Sequence, residues 1–84
     1  MKPWVIYILR CGDGTLYTGI TNDLARRLAA HGGGTASKYT RARLPVDLVY
    51  SEEASDRSQA TRREAAIKKL SRRDKTALVA SSRA

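Results

Sequence analysis

The stretch of residues 4–20, WVIYILRCGDGTLYTGI, contains the first two predicted strands and the turn between them. Its first half, WVIYILRC at 4–11, is rich in β-branched and aromatic residues and carries apolar side chains at both parities. This pattern predicts a strand that is covered on both faces. Gly12-Asp13-Gly14 then predicts a hairpin turn, and TLYTGI at 15–20 predicts the returning strand.

The loop length decides which residues of this hairpin share a face. A two-residue loop at Asp13-Gly14 would place Tyr7 and Tyr17 on opposite faces. A loop one residue longer pairs Tyr7 with Gly19 and puts Tyr17 on the same face, so that the three form one patch. We predict this three-residue loop, Gly12-Asp13-Gly14, because a glycine suits the left-handed last position of a type I turn with a bulge.

The rest of the chain predicts three helices and a third strand. The expected elements are a helix from 23 to about 31, a loop at 32–45, a strand at 46–51, a helix at 56 to about 70 and a short helix at 71 to about 80. Asn22 or Asp23 can cap the first helix, and Asp56 with Gln59 resembles a capping box for the second. The order β-β-α-β-α-α predicts an α+β fold, a three-stranded antiparallel sheet flanked by helices. With 84 residues, we expect one domain over 1–84, with its core at about 4–79.

Charge is the strongest compositional signal. Sixteen Lys and Arg against eight Asp and Glu give a net charge of +8 and a pI near 10.3. This balance is typical of domains that bind a phosphate backbone. The basic residues are dense in 57–75, which has no aromatic residue to anchor in a membrane interface. We therefore expect a nucleic-acid partner and no membrane partner.

Two further features favour a cytoplasmic protein. The apolar stretch at 4–9 has six residues, whereas a membrane-spanning helix needs about 18. A single cysteine, Cys11, can form no internal disulfide, which agrees with a reducing compartment.

Two predicted helices carry polar residues where apolar ones are expected. The core stripe of the first helix includes Arg27 and His31, which either serve a site or flank the stripe with their heads in water. In the later helix Glu64 shares the face of Ala60 and Ile67. A carboxylate there needs a cationic partner, either a metal ion or a neighbouring arginine.

These side chains suit phosphodiester hydrolysis, which needs a positioned water, a proton acceptor and cations. Glu64 can supply an oxygen ligand for Mg²⁺ or Mn²⁺, and the forked guanidinium of Arg27 suits a phosphate. A tyrosine can act as a base only if its pKa falls well below about 10. His31 can take the proton directly or relay it from Tyr7.

Several motifs in order carry a resemblance to the GIY-YIG nuclease superfamily, and more closely to its small stand-alone bacterial branch. The motifs are Ile6-Tyr7, Leu16-Tyr17-Thr18-Gly19-Ile20-Thr21, Arg26-Arg27-Leu28, His31, Lys38-Tyr39-Thr40-Arg41, Asp56-Arg57-Ser58 and Glu64. The superfamily includes phage homing endonucleases, the incision domain of bacterial excision repair and structure-specific junction nucleases. The resemblance spans about residues 4–79.

The resemblance implies a metal-dependent endonuclease with Mg²⁺ or Mn²⁺ held by Glu64. The catalytic residues it implies are Tyr7, Tyr17, Gly19, Arg27, His31 and Glu64, and the role of activating water stays shared between the two tyrosines. The first motif has Val5 where the name-giving glycine would stand. Some relatives use an asparagine late in the domain, whereas this chain has none after Asn22.

Seven residues are predicted to bind nucleic acid: Lys38, Tyr39, Arg41, Lys68, Lys69, Arg72 and Arg73. For Tyr39 two interpretations stay open, a ring that stacks on a base or a plug that packs its loop onto the sheet. The leading hypothesis is a structure-guided or loosely specific nuclease in repair or nucleic-acid processing, with DNA favoured over RNA. The alternatives are a nucleic-acid-binding module with little or no activity and an adaptor for an acidic protein.

Overall fold

The computed structural model describes residues 3–81. Its elements in chain order are β1 (Trp4–Cys11), β2 (Leu16–Thr21), α1 (Leu24–Gly32), α2 (Lys38–Arg41), β3 (Val46–Ala54), α3 (Arg57–Lys68) and α4 (Arg72–Ser81). The three strands form one antiparallel sheet in the order β2-β1-β3, with the N-terminal strand in the middle. The predicted α+β class and element order are confirmed.

The β1–β2 hairpin has the predicted register. Tyr7 pairs with Gly19, and Leu9 pairs with Tyr17. The turn is closed by hydrogen bonds from the Cys11 N–H to the Thr15 carbonyl (2.8 Å) and from the Gly14 N–H to the Cys11 carbonyl (2.9 Å). Gly14 has a φ of 84°, the left-handed conformation that the three-residue loop requires.

The two faces of β1 are covered by different helices, because side chains alternate along a strand. Ile6 and Ile8 point to one face, where they form the core with Ala60 and Ile67 of α3. Tyr7 points to the opposite face, where its hydroxyl meets His31 of α1. The fold therefore has three layers, with α3 on one side of the sheet and α1 on the other.

Aspartate caps fix two of the helices where the sequence predicted them. The Asp23 carboxylate accepts from the Arg26 N–H (3.3 Å) at the start of α1. The Asp56 carboxylate accepts from the Gln59 N–H (2.8 Å) at the start of α3. Each cap satisfies an N–H group that has no partner within its helix.

Strand β3 is longer than predicted, ending at Ala54 rather than at residue 51. Its pairing with β1 continues to the first residue of β1, Trp4, which pairs with Ala54. The charged Glu52 is accommodated by Arg63, whose Nε lies 3.0 Å from the carboxylate, and by the Tyr50 hydroxyl at 2.7 Å. Pairing with a buried central strand here overrides the low strand propensity of glutamate.

The segment predicted as a loop at 32–45 contains the four-residue helix α2. Ser37 caps it by accepting from the Tyr39 N–H at 3.1 Å. The segment after α2 is held on the hairpin, because the Gly12 N–H donates to the Arg43 carbonyl at 2.7 Å. Over residues 3–81, the structure contains no helix long and apolar enough to span a membrane.

Candidate active site

A chain of hydrogen bonds under the sheet joins three buried side chains. The Tyr7 hydroxyl lies 2.8 Å from Nε2 of His31, and Nδ1 of the same ring lies 2.8 Å from the Thr40 hydroxyl. All three side chains have zero exposed fraction. The hydroxyl of Thr40 also reaches the Ser37 carbonyl at 3.4 Å. The buried state of His31 rules out the interpretation that its head lies in water.

Gly19 makes room for this arrangement. A Cβ atom at position 19 would lie 2.5 Å from the hydroxyl oxygen of Tyr7 and 2.6 Å from its Cζ. The phenol ring therefore crosses the neighbouring strand at the one residue that lacks a side chain. The pairing of Tyr7 with Gly19 thus places the hydroxyl at the edge of the sheet beside α1.

Arg27 supplies the positive charge next to this hydroxyl. The hydrogen bond to Tyr7 raises the pKa of Arg27, and this effect outweighs the opposing effect of burial. Its Nε atom is buried and has no hydrogen-bond partner within residues 3–81. A buried donor without a partner is costly, and an anionic oxygen of a bound phosphate is a natural acceptor for it.

The pKa shifts define the protonation of the pair. Burial is the largest cause that raises the pKa of Tyr7 above its usual value, against the opposing effect of the Arg27 guanidinium. Burial also lowers the pKa of His31, and the charge of Arg27 lowers it further. At neutral pH the site therefore contains a protonated phenol and a neutral imidazole.

Tyr17 and Tyr39 form an aromatic stack at the mouth of the site. The Tyr17 ring contacts His31 edge-on at 5.2 Å between centroids and stacks on Tyr39 at 5.8 Å. The Arg43 guanidinium lies 3.8 Å from the centre of the Tyr39 ring and also pairs with Asp13 at 3.0 Å. The Tyr39 ring therefore packs its segment onto the sheet, as one of the two interpretations had it. The residue is still 36% exposed, so part of the ring stays open to solvent.

Glu64 comes from the other side of the sheet. Its helix α3 packs through Ala60 and Ile67 on the face of Ile6 and Ile8, so the expectation that Glu64 faces the same sheet surface as the tyrosines stays a prediction. Its charge still acts on the site, where it contributes to raising the pKa of Tyr7. The side chain is 21% exposed and pairs with Lys68 at 3.6 Å, a lysine in place of the arginine considered above.

The predicted nucleic-acid-binding residues fall into two groups. Lys38, Tyr39 and Arg41 lie on α2, adjacent to the catalytic candidates. Four exposed residues, Lys68, Lys69, Arg72 and Arg73, lie around the junction of α3 and α4. Arg72 has a structural partner, since its Nη2 donates to the Gly14 carbonyl at 2.6 Å.

An open groove runs beside Arg27, and sequence reasoning did not find it. We call it the arginine groove, lined by Thr21, Asn22, Asp23, Arg26, Arg27 and Ala30. An adjoining depression shares three of these residues and adds Trp4, Ile20 and Arg57. Arg26 lies off the apolar stripe of its helix, so the sequence pattern did not single it out. Its position next to Arg27 nevertheless suits contact with a neighbouring phosphate of the same nucleic-acid backbone.

The site brings together five of the six predicted catalytic residues: Tyr7, Tyr17, Gly19, Arg27 and His31. Glu64 is linked to them by its charge, which contributes to raising the pKa of Tyr7. Within residues 3–81 no cluster of three or more His, Cys, Asp or Glu is placed to hold a metal ion. Sequence reasoning missed Thr40 as a partner of His31, and its only signal was its place in the Lys38–Arg41 motif.

The comparison with known proteins agrees with this geometry. Residues 3–77 match the family described as the GIY-YIG catalytic domain. The chain is 52% identical over 80 residues to the UPF0213 protein DP2720 of Desulfotalea psychrophila, covering 94% of this chain and 73% of that protein. It is also 52% identical over 73 residues to the UPF0213 protein SAG0778 of Streptococcus agalactiae, covering 87% and 83%.

Two solved structures have the same fold. The solution structure of the UPF0213 protein BH0048 from Bacillus halodurans has a TM-score of 0.60 at 44% identity, covering 92% of this chain and 82% of that one. The solution structure of EF2693 from E. faecalis has a TM-score of 0.62 at 44% identity, covering 89% and 80%. With the match over nearly its whole length, this chain belongs to the GIY-YIG catalytic domain family, a family of nucleases.

Proposed function

We propose that the protein is an endonuclease that hydrolyses phosphodiester bonds in DNA with the help of one divalent cation. The observation that carries the proposal is the buried Tyr7–His31 pair, with a neutral imidazole 2.8 Å from the phenol. A pure binding module has no use for a buried proton acceptor beside a phosphate-binding arginine. The family places the chain among nucleases, and this pair supplies the acid–base chemistry.

The pair activates water by a relay. The raised pKa of Tyr7 means that a free phenolate does not accumulate at neutral pH. A neutral Nε2 of His31 can instead accept the phenol proton while the phenol oxygen takes a proton from the attacking water. This assigns the water-activating role to Tyr7 and leaves Tyr17 to pack against the imidazole ring.

Arg27 stabilises the charge that develops on the phosphate. Its guanidinium is charged at every accessible pH, and its partly buried position strengthens its attraction for an anionic oxygen. The arginine groove continues from Arg27 past Arg26. We place the backbone of the substrate in this groove, with the scissile phosphate at Arg27.

Glu64 is a suitable ligand for the cation. Mg²⁺ is commonly bound by one or two carboxylates while it keeps several waters, so a single glutamate at the site fits Mg²⁺ or Mn²⁺. Glu64 is partly exposed, and its only ion pair within residues 3–81 is the 3.6 Å contact with the exposed ammonium group of Lys68. When bound, the cation would act as a Lewis acid on a phosphate oxygen.

We also propose a role in DNA repair or nucleic-acid processing in the cytoplasm. Two observations support this proposal: the basic composition of the chain and the free, buried thiol of Cys11. A sequence-specific nuclease needs a surface that contacts the base edges. Cutting that is guided by the shape of the nucleic acid therefore fits the small domain described here.

A panel of end-labelled substrates tests the proposal. Duplex, nicked, flapped, branched and single-stranded DNA, with matched RNA, are incubated with the protein and Mg²⁺, Mn²⁺ or chelator. We expect cleavage of DNA with either cation, no cleavage with chelator, and a loss of at least about 100-fold in Tyr7→Phe, since acid–base help is worth about 10²–10⁴. Tight binding to every substrate with no cleavage under any condition would show a binding module instead.

A further inference from the structure

We infer that Thr40 is a positioning residue for the reaction, holding His31 with its proton on Nδ1 so that Nε2 is free to accept the proton of Tyr7. The inference deepens the proposed function and rests on it for its catalytic part. The hydrogen-bond assignment itself rests on the structure alone.

The geometry around the imidazole leaves little freedom. Both ring nitrogens are in hydrogen bonds of 2.8 Å, one to the Tyr7 hydroxyl and one to the Thr40 hydroxyl. All three side chains are fully buried. A neutral imidazole has one donor and one acceptor nitrogen, so the two hydroxyls must play opposite roles toward it.

Counting donors selects one of the two arrangements. If Nδ1 carries the proton, it donates to Thr40, whose hydroxyl donates to the Ser37 carbonyl, while Tyr7 donates to Nε2. Arg27 then donates to the Tyr7 oxygen. The Tyr7 hydroxyl, the His31 Nδ1–H and the Thr40 hydroxyl then each have an acceptor.

The opposite arrangement leaves a buried donor without an acceptor. With the proton on Nε2, the Tyr7 oxygen would accept from both His31 and Arg27, and its own O–H would have no acceptor within residues 3–81. An unsatisfied buried hydroxyl is costly. Nε2 would also be unable to accept a proton, which would stop the relay.

The position of Thr40 follows from α2. The helix is capped by Ser37, and its end is fixed on the hairpin through the Gly12 N–H and the Arg43 carbonyl at 2.7 Å. The stack of Tyr39 on Tyr17 holds the same helix on the sheet. These contacts position α2 so that the Thr40 hydroxyl lies 2.8 Å from Nδ1 of His31.

The first arm of the test reads the protonation of the ring directly. The chain has one histidine, so ¹⁵N NMR of tag-free protein at pH 7.5 reports only His31. We expect a protonated Nδ1 and an unprotonated Nε2. A protonated Nε2 would overturn the inference, and this arm is decisive whether or not the protein cleaves nucleic acid.

The second arm measures kcat and KM for Thr40→Val and Thr40→Ser on the substrate that the wild-type protein cleaves best. The valine keeps the shape of the side chain and removes the hydroxyl, so kcat should fall by about 100-fold with KM unchanged, the lower part of the range for acid–base help. The serine keeps the hydroxyl and should retain most of kcat. A folded Thr40→Val protein with the wild-type kcat would overturn the positioning role, as would an equal loss in the serine variant.

Melting temperatures separate this result from misfolding. If Thr40→Val does not fold, the serine variant and the NMR of the wild-type protein decide the question. If the ring has the expected tautomer but wild-type protein cleaves no substrate of the panel, the proposed function fails while the hydrogen-bond assignment stands.

Discussion

Among the individual residues, Glu64 has the most distinctive environment. Within residues 3–81 it is the one acidic residue whose charge acts on Tyr7, yet it lies on the helix that covers the opposite face of the sheet. Its contact with Lys68 at 3.6 Å involves a lysine that is 55% exposed, and such exposed pairs contribute little to stability. A structural ion pair alone is therefore a weak reason for a half-buried carboxylate.

The Glu64→Gln variant tests the role of the carboxylate as a cation ligand. We expect divalent-dependent cleavage to fall by about 100-fold or more, because the Lewis-acid contribution is worth several kcal/mol. Binding to DNA should be retained or tighten, since a negative charge leaves a basic surface. Cleavage and salt-dependent binding are measured on the same sample.

The matched control is Lys68→Gln, which breaks the same ion pair and leaves the carboxylate in place. Because Lys68 is also a predicted nucleic-acid-binding residue, the comparison uses saturating DNA, where the kcat of the variant should stay within a few-fold of the wild-type value. If both variants lose stability and activity equally, Glu64 is a structural partner and not a ligand.

Gly19 offers a test of the site that changes no chemical group. In Gly19→Ala the new Cβ would lie 2.5 Å from the hydroxyl oxygen of Tyr7, so the ring must leave Nε2 of His31. Overpacking of this kind costs about 1–3 kcal/mol, and cleavage should fall as far as in Tyr7→Phe. Gly32→Ala is the control, because its Cβ would meet no atom within 4 Å, and an unaffected Gly19→Ala enzyme would mean that the Tyr7–His31 contact is not needed.

At the scale of elements, α3 owes its start to one side chain. Asp56 accepts from the Gln59 N–H at 2.8 Å, and loss of such a cap costs about 1 kcal/mol. We expect Asp56→Ala to lower the free energy of unfolding by this amount in urea titrations, whereas Asp56→Asn, which can also cap, should stay close to wild type. Equal stability of Asp56→Ala and wild type would show that the helix does not depend on this cap.

The hairpin was predictable because its register follows from simple counting. A loop of three residues ending in glycine sets the pairing of Tyr7 with Gly19, and the alternation of side chains then places Tyr17 on the same face. Asp23 and Asp56 marked the two helix starts for a similar reason, since a cap acts on the next three residues only. The turn and the two caps depend only on residues close together in the chain, so they can be predicted from the sequence.

The layer in which each helix packs was not predictable in the same way. The apolar stripe of α3 shows which side of the helix meets the sheet, but not which face of the sheet it meets. The stripe therefore cannot show whether Glu64 reaches the face that carries the tyrosines. The helix α2 was also missed, because four residues between glycines and prolines give no periodic pattern, and Thr40 acquires its role only when His31 arrives from α1.

For the whole molecule, with its net charge of +8, two basic surfaces are candidates for binding the DNA backbone. The arginine groove includes Arg26, with Arg57 in the adjoining depression, while Lys69 and Arg73 lie near the junction of α3 and α4. Each phosphate neutralised on duplex DNA contributes about −0.9 to the slope of log K against log salt. The two surfaces can be compared by neutralising two basic residues in each, Arg26 and Arg57 in one and Lys69 and Arg73 in the other.

We expect the Arg26→Gln/Arg57→Gln protein to lose about one to two units from this slope, measured by fluorescence anisotropy with labelled duplex. The Lys69→Gln/Arg73→Gln protein should lose less, if the groove carries the backbone. Arg62→Gln, an exposed residue of α3, is the single-charge control. A larger loss for the Lys69/Arg73 pair would move the nucleic acid to the α3–α4 junction.

The buried imidazole also links the stability of the whole domain to pH. Burial and the charge of Arg27 lower the pKa of His31 in the folded protein, so below about pH 6.5, its unperturbed value, the unfolded chain binds a proton more readily. The free energy of unfolding should therefore be full above pH 6.5 and fall between about pH 6.5 and 5, by at most about 1.4 kcal/mol per pH unit for one proton. Urea titrations of wild type and His31→Asn measure this, and a wild-type curve flat over that window would contradict a neutral, buried imidazole.

The central place of β1 in the sheet has a consequence for synthesis on the ribosome. The strand is made first, but its two neighbours are β2, which follows directly, and β3, which ends 43 residues after Cys11. The hairpin is complete at Thr21, 33 residues before the end of β3. At roughly 5–20 residues per second, it therefore waits about 2–7 seconds with the second edge of an apolar strand unpaired. During that interval the edge is open to pairing with other chains, so the yield of folded protein in cells should respond to translation speed and to chaperones that bind extended apolar segments.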